Sequence, residues 1–178
     1  MSDQFSQDLI DFIPNLRRFA ISLTRSRDLA DDLVQVTAEK AFAARDRFDP
    51  GTRFDAWLFR IMRNSWIDMT RRAKTQGTQL DIDDIPEAAI VDGTQVVEAN
   101  LMLKSARQAL DDLPEDQREV MLLVCVEEMS YKEAADVIGV PTGTVMSRLS
   151  RARLAVAKKM GISPSPRRSS GHGRETLK

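Results

Sequence analysis

Two clusters of polar side chains carry the chemistry open to this chain, and in both the residue types suit recognition rather than bond-making. Arg60, Arg63, Asn64, Ile67 and Arg71 recur at spacings of three, one, three and four, which puts them on one side of a helix. Guanidinium groups neutralise phosphates, and an amide such as Asn64 can pair with a base edge in a bidentate way. Trp66 falls on a third side of that helix with Phe59 and Met62, where it could stack on an unpaired base or pack on a neighbouring helix. The second cluster is Ser147, Ser150 and Arg151, on one face with Leu154 and flanked by Arg148 and Arg153, within a stretch at 141–160 that contains no acid. Hydroxyls and guanidiniums along one helical face fit the base edges and phosphates of duplex DNA.

The elements that must hold these clusters can be read from local rules. In SYKEAADVIGVPTGTVMSRLSRARLAVAKKM, residues 130–160, Ser130 and Glu133 form a capping-box pair and Gly139 supplies a stop and a turn. Pro141 suits the first helical residue, since its missing N–H costs nothing there. Val145, Leu149, Ala152 and Val156 then make a buried stripe. The result is a helix–turn–helix whose second helix packs one face inward and presents the other to DNA. Upstream, residues 54–74 predict a long helix with Thr52 as N-cap and Phe54, Trp57, Leu58, Ile61, Ser65 and Met69 as its core stripe.

Two further helices precede it. Residues 5–23 carry an apolar side of Leu9, Phe12, Ile13, Leu16, Phe19, Ala20 and Leu23, and Pro14 predicts a kink or the start of a second short helix. Residues 28–44 follow, with Leu29, Leu33, Val36 and Phe42 able to face a core. Asp32, Gln35 and Glu39 share another face, an acidic stripe that reads by itself as a solvated surface. Residues 75–95 hold Asp81, Asp83, Asp84, Glu87 and Asp92, with Gly and Pro between them, and predict an exposed tether. A helix at 94–112 places Val97, Leu101, Leu103, Ala106 and Leu110 on its apolar side, and the largely apolar helix at 115–127 predicts the buried centre of a second module. The end of the chain, SPSPRRSSGHGRETLK, reads as a disordered basic tail.

Composition excludes several classes. Few Gly and Pro and long 3.6-residue stripes predict an all-α chain of two small helical domains joined by a flexible acidic linker. The predicted divisions are 1–75, a linker at 76–95, 96–161 and a tail at 162–178. With 26 Lys and Arg against 27 Asp and Glu among 178 residues, affinity for nucleic acid must come from local patches. The single cysteine, Cys125, sits in an apolar run and reads as a small core residue, and the only histidine, His172, lies in the tail. There is no zinc-ligand cluster, Gly-rich phosphate loop or paired-carboxylate signature, so no metal, cofactor or enzymatic activity is expected. Neither a signal peptide nor a membrane-spanning stretch is evident, which predicts a cytoplasmic protein.

Four segments carry a more specific likeness. LADDLVQV at 29–36, FDAWLFRIMRN at 54–64, LPEDQR at 113–118 and GTVMSRLSRAR at 143–153, in that order, strongly resemble a bacterial extracytoplasmic-function (ECF) sigma factor of the sigma-70 family. The resemblance covers roughly residues 8–160. It implies that the N-terminal module is sigma region 2, with Asp32, Gln35 and Glu39 docking on core RNA polymerase. It also implies that Arg53, Arg60, Arg63, Asn64, Trp66 and Arg71 meet the minus-ten element of promoter DNA, with Asn64 lining a pocket for a flipped-out base. The C-terminal module resembles region 4. Its minus-thirty-five contacts would be Ser147, Ser150 and Arg151 to bases and Thr142, Thr144 and Arg148 to phosphates, with Arg153 alongside.

The resemblance further implies promoter melting for transcription initiation, in a stress or envelope response under the control of an anti-sigma factor. Met146 stands where many relatives carry Arg or Lys, and Ser150 is small for its place, so the promoter sequence does not transfer from a relative. Alone, the chain is expected to bind DNA weakly, because two short modules on a flexible tether have poor effective concentration. Two other readings compete: a sigma mimic that sequesters an anti-sigma factor, and a stand-alone helix–turn–helix regulator. Mimics of the first kind have weakened DNA-reading surfaces and usually carry a receiver domain, whereas the arginines of both reading helices are present here. The second reading leaves the acidic stripe and the Arg60–Asn64–Arg71 face unexplained.

Overall fold

The computed structural model of the chain describes residues 2–77 and 97–162, so the predicted tether and tail, apart from their first residues, lie outside the described residues. Seven α-helices account for most of what is described, with no strand among these residues. They are α1 Ser2–Thr24, α2 Arg27–Ala43, α3 Phe54–Gln76, α4 Val97–Asp111, α5 Glu115–Cys125, α6 Tyr131–Ile138 and α7 Thr142–Lys159. A short 3-10 turn, Arg45–Arg47, follows α2.

α1, α2 and α3 pack mutually around Leu9, Leu16, Phe19, Leu33, Leu58 and Phe59. Phe59 anchors α3 on α1, with its ring edge-on to Phe12 at 5.4 Å and to Phe19 at 4.8 Å. Burying such a ring completely stabilises the packing by about 2 kcal/mol. α1 runs unbroken through Pro14. Pro14 and Ile10, whose carbonyl loses its helical donor, both lie on the exposed side, where water can take the place of the missing bond. Ser26, between α1 and α2, is the N-cap of α2, its hydroxyl accepting from the Leu29 amide at 3.4 Å. Thr52 does not cap α3: its hydroxyl donates to the carbonyl of Asp49 at 2.8 Å, and the N-cap is Arg53 without a side-chain bond.

In the second group, α5 and α6 pack on α7 through Val120, Leu123, Ala134, Val137, Val145 and Leu149. The capping box forms as expected: the Glu133 amide donates to the Ser130 hydroxyl at 3.2 Å, and the Ser130 amide donates to the Glu133 carboxylate at 2.8 Å. Gly139 turns with φ of 74°, a left-handed value that would strain a residue bearing a Cβ. Pro141 stands one position earlier than expected, as N-cap of α7.

Two apolar expectations fail here. Leu103 is 66% exposed, because α4 meets α7 near its own C-terminal end, where Ala109 is buried. Cys125 is exposed because it is the last residue of α5, where the apolar run outlasts the helix.

The two groups also pack on each other. α6 lies across α3 and α5 against α1, and the buried side chains of both groups form one contiguous cluster. Arg118, 5% exposed, ties the junction together. Its Nε donates to the Ser22 carbonyl at 2.9 Å, and its Nη1 donates to the carbonyls of Asp111 and Leu113 at 3.0 and 3.2 Å. Burial, with Arg25 nearby, pulls its guanidinium pKa below the ordinary arginine value.

Candidate nucleic-acid interface

α3 positions the first cluster, and the structure divides that cluster in two. Arg60, Asn64 and Arg71 are exposed along one side, where a strand of nucleic acid can reach them. Arg53, Arg63 and Trp66 instead meet carboxylates of the C-terminal group. Arg63 Nε lies 2.7 Å from Glu119 Oε1, an ion pair whose side chains are 22% and 5% exposed. Trp66 is 6% exposed, and its indole N–H donates to Glu115 at 3.1 Å. Arg53 pairs with Asp55 and reaches Glu133 at 3.2 Å. In this arrangement Trp66 packs rather than offering a ring to a base.

The inward side of α3 is therefore broader than the predicted stripe. Leu58 and Ser65 are buried as expected, but Phe59, Met62 and Trp66 are buried too, while Phe54, Trp57, Ile61 and Met69 are only half-buried. α3 packs on α1 and α2 from its own group and on α6 from the other, so one apolar stripe cannot serve all its neighbours.

Electrostatics at the junction follow from burial. Desolvation pushes the Glu119 carboxyl above the usual carboxylate range, and the charge and hydrogen bond of Arg63 oppose that shift. Glu133 moves the other way: bonds from Ser130 hold it low, with Arg53 adding to the effect.

On α2, Asp32, Gln35 and Glu39 are exposed together, with Gln35 donating to Glu39 at 3.0 Å. The neighbouring Asp31 is taken by Arg17 through two bonds of 2.7 and 3.0 Å, which ties α1 to α2. The stripe is therefore an open acidic surface.

On α7, Arg151, Ser147 and Thr142 are exposed, and Ser150 and Thr144 are half-buried. Ser147 donates to the Thr144 carbonyl at 3.0 Å. Arg148 sits 3.0 Å from Asp116 of α5, and Arg153 donates to the Cys125 sulfur at 3.7 Å, which holds the guanidinium pKa up. Met146 and Leu154 are 52% and 53% exposed, so the face that carries Arg151 mixes polar and apolar contacts. Glu115, Glu119 and Glu133 were missed as partners of α3. Nothing near them in sequence names a partner about 50 to 80 residues upstream.

Among the described residues no group of three or more His, Cys, Asp or Glu side chains is placed to hold a metal ion, and no helix is long and apolar enough to cross a membrane. The arrangement offers binding surfaces for a nucleic acid and a protein.

Comparison with known proteins agrees. Residues 11–76 match the Sigma-70 region 2 family and residues 103–156 the Sigma-70, region 4 family. The chain is 39% identical over 153 residues to the ECF RNA polymerase sigma factor EcfG of Rhodopseudomonas palustris, covering 86% of this chain and 83% of that protein. It is 30% identical over 144 residues to the ECF RNA polymerase sigma factor SigM of Bacillus subtilis, covering 80% and 86%. Among solved structures it resembles the sigma factor RpoE in complex with the anti-sigma factor NepR from Bartonella quintana. That match has a TM-score of 0.72 at 35% identity and covers 90% of this chain and 98% of that one. The chain belongs to the extracytoplasmic-function subfamily of the sigma-70 family: it is an RNA polymerase sigma factor, a transcription-initiation protein and not an enzyme.

Proposed function

We propose that the chain reads a promoter through two surfaces that core polymerase holds at a set spacing. Residues 1–75 act as the core-binding and minus-ten module, and 96–161 as the minus-thirty-five module. The linker at 76–95 joins them, and 162–178 is a tail. Asp32, Gln35 and Glu39 dock on core polymerase. Arg60 and Arg71 hold the strand at the minus-ten element while Asn64 takes an extruded base, and Arg53, Arg63 and Trp66 join them when the two modules part. Capturing an unstacked base offsets the cost of extruding it, so base identity biases where the duplex opens. On α7, Ser147, Ser150 and Arg151 meet base edges in the major groove, while Thr142, Thr144, Arg148 and Arg153 hold phosphates.

One observation carries this reading: two separate helices of one chain, α3 and α7, each expose arginines beside a short polar side chain, Asn64 on one and Ser147 on the other. The solved complex of a similar sigma factor with an anti-sigma factor supports control by such a partner here. The chain would act in the cytoplasm, where polymerase and promoters are. Run-off transcription from fragmented genomic DNA, with and without the chain, tests the reading. New start sites sharing two upstream elements are expected, and their loss with Glu39→Arg would assign the acidic stripe to core binding. A chain that adds no start sites to core polymerase refutes it.

A further inference from the structure

We propose that the C-terminal group carries an acidic surface, built from Glu115, Glu119 and Glu133, that imitates nucleic acid and masks α3 until the two groups separate. The proposal rests on α3 being the minus-ten reader. Three of the six residues assigned to that contact, Arg53, Arg63 and Trp66, are each bonded to one of these carboxylates, at 3.2, 2.7 and 3.1 Å.

The three carboxylates come from two helices, α5 and α6, and converge on one side of α3 together with the residues at its N-terminal end. A carboxylate beside a guanidinium occupies the place that a phosphate takes in a nucleic-acid complex. Glu115 holds the indole N–H of a tryptophan that is 6% exposed, so the ring is unavailable for stacking while the contact lasts.

The contact is held from outside the masked side as well. Glu127, just beyond the C-terminal end of α5, accepts from Asn15 at 3.0 Å and pairs with Arg18 at 3.4 Å, and Arg118 reaches the Ser22 carbonyl, all three partners being on α1. The free chain therefore has a physical reason for weak DNA binding that differs from a loose tether: its modules dock on each other through the surface that DNA needs. A binder whose competent state is a minor fraction loses affinity in proportion to that fraction. Core polymerase, by taking the modules at a wider separation, would remove the mask.

The test uses the full chain. Small-angle X-ray scattering reports compactness, and anisotropy of a labelled single-stranded DNA of mixed sequence reports access to α3. Glu119→Arg sets two guanidinium groups against each other at Arg63. It should expand the particle and tighten DNA binding about a hundredfold, as expected if about one molecule in a hundred is open in the native protein. Asp136→Arg adds the same charge at an exposed site of α6 and should change neither reading. Adding Arg63→Glu to Glu119→Arg should restore compactness. Should Glu119→Arg fail to fold, Glu127→Ala loosens the same junction away from α3, and its expansion with tighter DNA binding supports the mask equally. A particle that stays compact in both variants overturns the latch. Expansion with no gain in DNA binding overturns the mask through its other premise, because α3 then has no reading surface to hide.

Discussion

Arg63→Ala isolates the Glu119 carboxylate in the junction, and the cost follows from the acid–base behaviour of that group. The pair has an N–O distance of 2.7 Å, and the glutamate side chain is 5% exposed, so its charge has little water to turn to. Stranding a buried charge costs about 3–5 kcal/mol, but a carboxyl has an escape through protonation. From an ordinary glutamate pKa near 4.3, protonating at pH 7 costs about 3.7 kcal/mol, and at pH 5 only about 1 kcal/mol. Arg63→Ala is therefore expected to destabilise the protein by about 2–4 kcal/mol at pH 7 and by about 1 kcal/mol at pH 5. The sign is consistent with the native protein. The Glu119 pKa is already raised by burial, so the folded state takes up a proton before the unfolded one, and its contribution improves as pH falls from the folded pKa toward the unfolded pKa. Groups facing it include Arg63, Glu115 and Arg148, and only the first is changed. Urea unfolding followed by circular dichroism at the two pH values measures the difference. An equal loss at both, or a loss below about 0.5 kcal/mol at pH 7, would refute the claim that the carboxylate is held in a dry junction.

Asn64→Ala should impair promoter opening, read by permanganate reactivity of unpaired thymines, while polymerase binding stays within about twofold, since an exposed amide contributes to neither packing nor the acidic stripe. Arg151→Ala should cost about 1–3 kcal/mol at one upstream base position in a binding-site selection if its guanidinium reads a base, whereas a uniform loss across sequences would mark a phosphate contact. Ser130→Ala removes half of the capping box and should lower stability by about 1 kcal/mol in thermal unfolding, with the α7 surface unaltered.

Legibility followed the range of the interactions. The Ser130–Glu133 box, the Gly139 turn and the Val145, Leu149 and Ala152 stripe depend on neighbours within a few residues, and all three stand in the structure as expected. The all-helical class is equally local, because it follows from 3.6-residue periodicity. α3 was harder. A single apolar stripe suits a helix with one neighbour, but this helix is packed from several sides, so Phe59, Met62 and Trp66 are buried along with part of the expected face. Thr52 had a competing acceptor in the Asp49 carbonyl, and a hydroxyl that closes a turn cannot also cap a helix. Cys125 and Leu103 failed because apolar character outlasts burial: one lies at the end of α5, the other beyond the reach of α7. The pairing of Arg63 with Glu119, 56 residues apart, has no local signature at all. Its existence came only with the packed fold, and it changes the account of the free chain from loosely tethered modules to mutually covered ones.

The most direct test of the account is titration of the fluorescently labelled chain with purified core polymerase, alone and with promoter duplex. Saturable one-to-one association is predicted, with specific promoter binding only in the complex. A chain that does not associate with core polymerase, or that binds the promoter equally well without it, contradicts the claim that a third party sets the spacing of its two reading helices.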